Sequence, residues 1–292
     1  MSTSEKTGRG QPFHPIALIL GTNEIASAIA AYLHHRGYGV VLSHDPIPPV
    51  IRRKMAFHDA LFDEIIDIDG VGAVRADSGL EVQAGLARRN GVIITELGIL
   101  DLMILRTLNI LIDARMQKYQ VTPDLRRLAH VTIGLGPGFT AENNCDIAIE
   151  TRPGKAGRII RSGATDAPDG APDLLGTRGA ERFVRSAFAG RWHSPLEIGT
   201  RIFKDFVVGH LGGDPIRAPF DGILRGVVRD GTEVPADVKL LEIDPRGRNA
   251  KFTGIDSRGH AIAKAVCNAL SHIESGTEPP TSKRGRRLYL VR

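Results

Sequence analysis

Cysteine is scarce in this 292-residue chain: Cys145 and Cys267 are the whole complement, and they lie far apart. Such a pair makes neither a disulfide framework nor a CxxC metal site, which excludes the small disulfide-stapled and zinc-ribbon classes and fits a reducing cytoplasm. Long apolar runs are missing as well. The most apolar stretch, residues 92–112, is interrupted by Glu96, Asp101 and Arg106, so no membrane span is expected. The first twelve residues, MSTSEKTGRGQP, are polar and lack the apolar core of a signal peptide. There is no HExxH motif, and no Cys-His or Ser-His-Asp arrangement can be placed, so no catalytic residue is assigned. Acidic residues are absent from the last twelve positions, TSKRGRRLYLVR, which carry five positive charges, equal to the whole formal excess of +5. The body of the chain is therefore close to neutral. Nucleic acid is disfavoured as a partner, and the basic tail reads as a solvated, disordered end.

What is present is an alternation of apolar strands and amphipathic helices. Strands are expected at residues 16–20, 40–43, 65–68, 92–95, 110–114, 131–135 and 146–150. Helices are expected at 24–35, 56–63, 80–89 and 99–108. Strands spaced by helices imply a mostly parallel sheet wrapped on both faces, a Rossmann-like α/β arrangement over residues 14–160. Residues 161–190 are rich in Gly, Pro and Asp and read as a connection. An internal echo follows. Gly199-Thr-Arg-Ile, with Asp205 and then a strand, recurs as Gly231-Thr-Glu-Val, with Asp237 and then a strand. Two similar all-β halves suggest a small pseudo-symmetric β-barrel over residues 191–256. A helix is expected over 257–275, and the basic tail occupies 276–292.

The candidate ligand-binding positions fall at expected strand ends. The first turn, Leu20-Gly-Thr-Asn-Glu-Ile-Ala, sits where GxGxxG belongs. Gly21 matches, but Asn23 replaces the second glycine, whose missing side chain lets a pyrophosphate approach. Asp45 follows the second strand, where an acidic residue accepts a ribose hydroxyl. Arg52 and Arg53, beyond a proline-stiffened loop, suit an anion, although a solvated helix start is the simpler explanation of the basic run. Asp113 ends another strand and serves either to orient a ligand or to cap the next segment. In GLGPGFT, Gly136 and Gly138 flank Pro137 and precede Thr140, so the backbone N–H groups are expected to converge on an anion.

Paired halves around an APxDG turn resemble biotinyl and lipoyl carrier domains. The hairpin between the halves, Gly209-His-Leu-Gly-Gly-Asp-Pro-Ile, has no lysine to carry the swinging arm, so a docking role fits better than a carrier role. Taken in order, IGLGPGFTAENN, AIETRPGKAGRII, APFDGILRGVVRDGTEV and LLEIDPRG resemble the selenium-dependent molybdenum hydroxylase system proteins (YqeB type). Those are more distantly similar to the XdhC/CoxI accessory factors of xanthine and carbon monoxide dehydrogenases. The likeness runs from about Ile16 to Leu270. It carries the family's LGPGFTA onto 135–141, its strand-end Asp onto Asp113, its Arg-Arg pair onto Arg52 and Arg53, and its DPRG onto 244–247. It implies a cytoplasmic accessory or maturation protein for a molybdenum hydroxylase or related pterin enzyme. The resemblance implies a pterin cofactor and a hydroxylase client; molybdopterin or a nucleotide such as NAD(P) is the expected cofactor and an anionic small molecule the expected ligand, with a homo-oligomer left open. Two other readings stand beside it. One is an NAD(P)-dependent oxidoreductase using Gly21 and Asp45, with Asp113 or Lys118 near the substrate. The other is a non-catalytic scaffold.

Overall fold

The computed structural model describes residues 14–275 except 104, 106, 107, 118 and 119. The basic tail and Lys118 therefore lie outside the described residues. The first part of the chain forms β1 (Ile16–Leu20), α1 (Glu24–His35), β2 (Gly39–Ser43), β3 (Asp67–Ile68), β4 (Val71–Arg75), α2 (Gly79–Arg88), β5 (Val92–Thr95), α3 (Ile99–Leu102), β6 (Ile110–Asp113), β7 (Val131–Leu135), β8 (Thr140–Ala141), β9 (Ile147–Ile149), β10 (Ile159–Ile160) and β11 (Gly163–Ala164). Nine of these strands make one sheet in the order β10-β9-β7-β6-β1-β2-β5-β4-β3. It is parallel except at its two edges, where β10 and β3 run antiparallel to their neighbours.

Both faces of this sheet are covered, which is why its strands read as continuous apolar runs. In β1 the side chains alternate. Ala17 and Ile19 join α1 on one face, and Leu18 and Leu20 join Val82 of α2 on the other. Helix α1 buries Ile25, Ile29 and Leu33 at four-residue spacing, each contributing about 1.5–3 kcal/mol of apolar burial. Its ends follow from the sequence. Asn23 accepts from Ile25 N and Ala26 N at the start, and Gly37, at φ 85°, allows the chain to turn back after the end.

The second part of the chain is antiparallel: β12 (Phe183–Arg185), β13 (Gly190–His193), β14 (Arg201–Ile202), β15 (Val207–Leu211), β16 (Asp214–Arg217), β17 (Gly222–Val227), β18 (Glu233–Val234) and β19 (Lys239–Asp244). These form two four-stranded sheets, β12-β19-β17-β14 and β16-β15-β13-β18, around a shared core that includes the fully buried Trp192, Leu224 and Leu241. The internal echo survives as geometry. Gly199 and Gly231 both have positive φ (99° and 78°), Asp205 and Asp237 are both left-handed (64° and 59°), and Ile202 and Val234 are both buried. No closed barrel is formed by the described strands. The chain then returns as α4 (Ser257–Glu274), which packs Ile262, Val266 and Leu270 into the core that α1 shares with the parallel sheet.

Several elements depart from expectation. Residues 56–63 are not an α-helix: an extended Ala56 separates a 3₁₀ turn at Arg53–Met55 from a second at Phe57–Phe62, which ends in a left-handed Asp63. The preceding basic residues are pulled sideways onto the antiparallel part: Arg53 Nε donates to Val227 O (3.0 Å) and Lys54 Nζ to Ile198 O (2.8 Å). The strand expected at 65–68 is only β3, because Asp69 and Gly70, both at positive φ, turn the chain directly into β4. Helix α3 stops at Leu102, well short of residue 108. The connection contains β11, and β12 leaves it to pair with β19.

Candidate ligand cleft

A cleft of about 1300 Å³ opens at the carboxyl ends of the parallel strands, bordered on its far side by the antiparallel part and the start of α4. Open α/β sheets bind ligands at this edge. Gly21, Asn23, Asp45 and Arg52 meet on its wall. Arg53, Asp113, Gly136, Gly138 and Thr140 do not reach it.

The first turn keeps its glycine but spends its donors. Gly21 has φ 105°, and a Cβ there would sit 3.1 Å from Ala114 O, so the turn packs closely against the end of β6. Gly21 N donates to Ser43 O (2.7 Å). Asn23 occupies the helix-leading N–H groups of Ile25 and Ala26, and its Nδ2 donates to Ala114 O (2.7 Å). Glu24, the first residue of α1, adds a carboxylate to the cleft wall and pairs with Arg52 (2.9 Å). Asn23 is thus a cap and a clasp to the neighbouring strand end, which counts against pyrophosphate binding at this turn.

Asp45 accepts from Ile47 N (3.0 Å) and Gln117 Nε2 (2.9 Å). Asp113 is 3% exposed and holds Arg115 through its backbone N, Nε and NH2, the last at 2.6 Å. Asp113 therefore acts through Arg115, which is on the wall. The GLGPGFT loop is corrected as an anion cradle: Gly136 N donates to Ile149 O (2.9 Å) and Thr140 N to Asn144 Oδ1 (2.8 Å). The carbonyls of Gly136 and Gly138 accept from Thr165 Oγ1 and Asn144 Nδ2. Added Cβ atoms would lie 2.7 Å from Thr151 Oγ1 at Gly136 and 2.6 Å from Thr122 Oγ1 at Gly138. These glycines let the loop pack against its neighbours, and only Pro137 of the loop lines the cleft.

The arginine pair is corrected in the same way. Arg53 points away from the cleft to Asp59 (2.5 Å). Arg52 is nearly buried, with Nε on Glu242 Oε2 (2.7 Å) and NH1 on Glu24 (2.9 Å). Glu242 is fully buried and also receives Arg182 Nε (2.8 Å) and Arg225 NH1 (3.0 Å), while Arg225 NH2 reaches Asp256 (3.0 Å), the N-cap of α4. Burial alone would raise the Glu242 carboxyl, but the Arg52 and Arg225 charges outweigh it and hold it far below the usual carboxylate range. Three arginines thus face three carboxylates, from α1, the loop after β2, the connection, β17, β19 and α4. This network ties the two parts of the chain together behind the cleft.

Sequence reasoning missed this network, although it left a signal. Arg225 in Gly-Ile-Leu-Arg-Gly-Val-Val and Glu242 in Lys-Leu-Leu-Glu-Ile-Asp are charges set inside apolar strands, where each needs an opposite partner. Also missed was Glu150, just past β9, whose buried carboxylate accepts from the backbone N–H groups of Thr151, Arg152 and Asp166 and so shapes the adjacent wall. Behind the first turn, Thr22 Oγ1 lies 3.1 Å from Nδ1 of both His44 and His58. Burial, with the nearby His44 and Arg53 charges, lowers His58 to about 3, so it is neutral. Among the described residues, no group of three or more His, Cys, Asp or Glu is arranged to hold a metal ion, and no helix is long and apolar enough to cross a membrane.

No family model matches the chain. The chain is 33% identical over 266 residues to the uncharacterized protein YqeB of Escherichia coli strain K12, an alignment covering 88% of this chain and 47% of that protein. The chain thus spans about half the length of this relative. The likeness supports placement with YqeB-type proteins.

Proposed function

We propose that the protein is a cytoplasmic accessory or maturation factor for a molybdenum-dependent hydroxylase or related pterin enzyme, and that it holds an anionic cofactor or nucleotide in the cleft. The observation that carries this reading is the cleft itself. It lies at the carboxyl edge of a parallel sheet, is large enough for a cofactor-sized ligand, and has an arginine-rich wall braced by a buried ion network. In this reading the parallel part is Rossmann-like. The antiparallel part is a biotinyl/lipoyl-like module without its lysine, and it docks the client rather than carrying a group. The chemistry of the wall suits the phosphate end of a pterin cofactor, because guanidinium groups match oxyanions bidentately. The spent donors of the first turn favour this reading over an NAD(P)-dependent oxidoreductase.

The test is to purify the protein from a host making molybdenum hydroxylases, analyse co-purifying small molecules by native mass spectrometry, and identify captured proteins. A bound pterin or nucleotide together with a molybdenum hydroxylase is the expected result. Recovery of neither, with no binding of added molybdopterin, overturns the reading. Fluorescence titration with NADH and NADPH checks the oxidoreductase alternative, for which saturable binding at micromolar concentration is required.

A further inference from the structure

Eight arginines line the cleft, and seven have a carboxylate oxygen within 4 Å. Arg258 is the exception. Its Nε donates to Thr151 O (3.0 Å), which fixes the plane of the guanidinium, and its two terminal nitrogens have no hydrogen-bond or ion-pair partner among the described residues. The setting makes this costly. Burial lowers its pKa and Arg52 repels it, while Glu24, Asp256 and Asp173 act only from beyond ion-pair distance. It also stands in the first turn of α4, where the helix field disfavours a cation. A second cleft cation, Lys251, is likewise without an ion pair among the described residues. Its carbonyl accepts from Arg225 Nε, and Arg225 in turn holds Asp256, two residues before Arg258.

We infer that Arg258 is the oxyanion-contacting residue of the cleft, its two free guanidinium nitrogens taking two oxygens of a phosphate or diphosphate group on the ligand. This inference rests on the proposed anion-binding reading and goes further by naming the residue and the chemical class. The ligand supplies the counter-charge that the protein withholds at this one arginine, whereas the other seven hold the wall in shape.

The experiment uses the full chain and inorganic pyrophosphate as the probe, with affinity measured by isothermal titration calorimetry. Wild-type protein binds, Arg258→Gln loses about ten-fold or more in affinity, and Arg248→Gln, which removes an exposed arginine outside the cleft, leaves affinity unchanged. Thermal unfolding in chloride, without pyrophosphate, controls for folding: Arg258→Gln keeps the wild-type midpoint or exceeds it, because the substitution removes an uncompensated charge. Equal affinity of wild type and Arg258→Gln overturns the inference while the anion-binding reading survives. Equal losses in both variants also overturn it, since they report only general electrostatics. Absence of pyrophosphate binding by the wild type overturns the inference together with the reading beneath it.

Discussion

Glu242 offers the most demanding check on how the two parts of the chain are held together. Replacing it with glutamine keeps the shape and removes the charge, leaving Arg52, Arg182 and Arg225 with only Glu24 and Asp256 as anionic partners. Removing one partner of a buried ion pair costs about 3–5 kcal/mol. A globular domain has roughly 5–15 kcal/mol of stability, so Glu242→Gln forfeits about a fifth of it or more. The effect also depends on pH in a defined direction. The folded Glu242 carboxyl titrates far below its ordinary value of 4.5, so the unfolded chain takes up the proton first as pH falls. The stabilisation is therefore complete above about pH 4.5 and is lost below it at about 1.4 kcal/mol per pH unit. Urea unfolding of wild type and Glu242→Gln at pH 7, 4.5 and 3.5 measures both quantities. The gap between the proteins is about 3–5 kcal/mol at pH 7 and narrows by about 1 kcal/mol between pH 4.5 and 3.5, because the unfolded carboxyl is already half protonated at 4.5. A gap below about 1 kcal/mol, or one that does not narrow in acid, refutes the reasoning.

Other expected outcomes follow from the same geometry. His58 is 6% exposed and titrates near 3 rather than 6.5, so its contribution is complete above pH 6.5 and is lost as pH falls. Relative to His58→Gln, wild type loses up to about 2–3 kcal/mol between pH 6.5 and 4.5 in chemical unfolding. Asn23→Ala removes the cap of α1 and the clasp to Ala114, and lowers stability by about 1–2 kcal/mol in the same assay. Gly134→Ala places a Cβ 2.0 Å from the Phe139 ring, so the ring must leave its seat. A loss of about 1–3 kcal/mol is expected, and an unchanged midpoint would show that the ring moves freely.

The first half of the fold was legible because its signals are local. Strands 16–20, 92–95 and 131–135 matched residue for residue, since a parallel sheet covered on both faces imposes uninterrupted apolar runs bounded by turns. The repeated Gly-Thr and Asp turns of the antiparallel part were legible for a similar reason: each requires an unusual backbone angle that leaves a residue signature. Residues 56–63 misled because the segment is bounded by an extended Ala56 and a left-handed Asp63, and Phe57 N is taken by Ser27 Oγ of α1, a partner thirty residues away.

The candidate site divides along the same line. From sequence alone, strand ends could be ranked by residue type, and of the positions singled out Gly21, Asn23, Asp45 and Arg52 line the cleft. Arg52, Arg115 and Arg258 look alike in sequence, yet their functions are set by which carboxylates stand within 4 Å, a property of chain crossings up to 190 residues apart. Thus the sequence by itself determined the alternating strands and helices, the paired turns and the caps, because these depend on neighbours a few residues away. Only the tertiary structure decided that GLGPGFT packs against Thr151 and Thr122 and that Arg52 is bound to Glu242. It alone left Arg258 facing the cleft without a counter-charge, because burial and ion pairing are fixed by what the rest of the chain brings alongside.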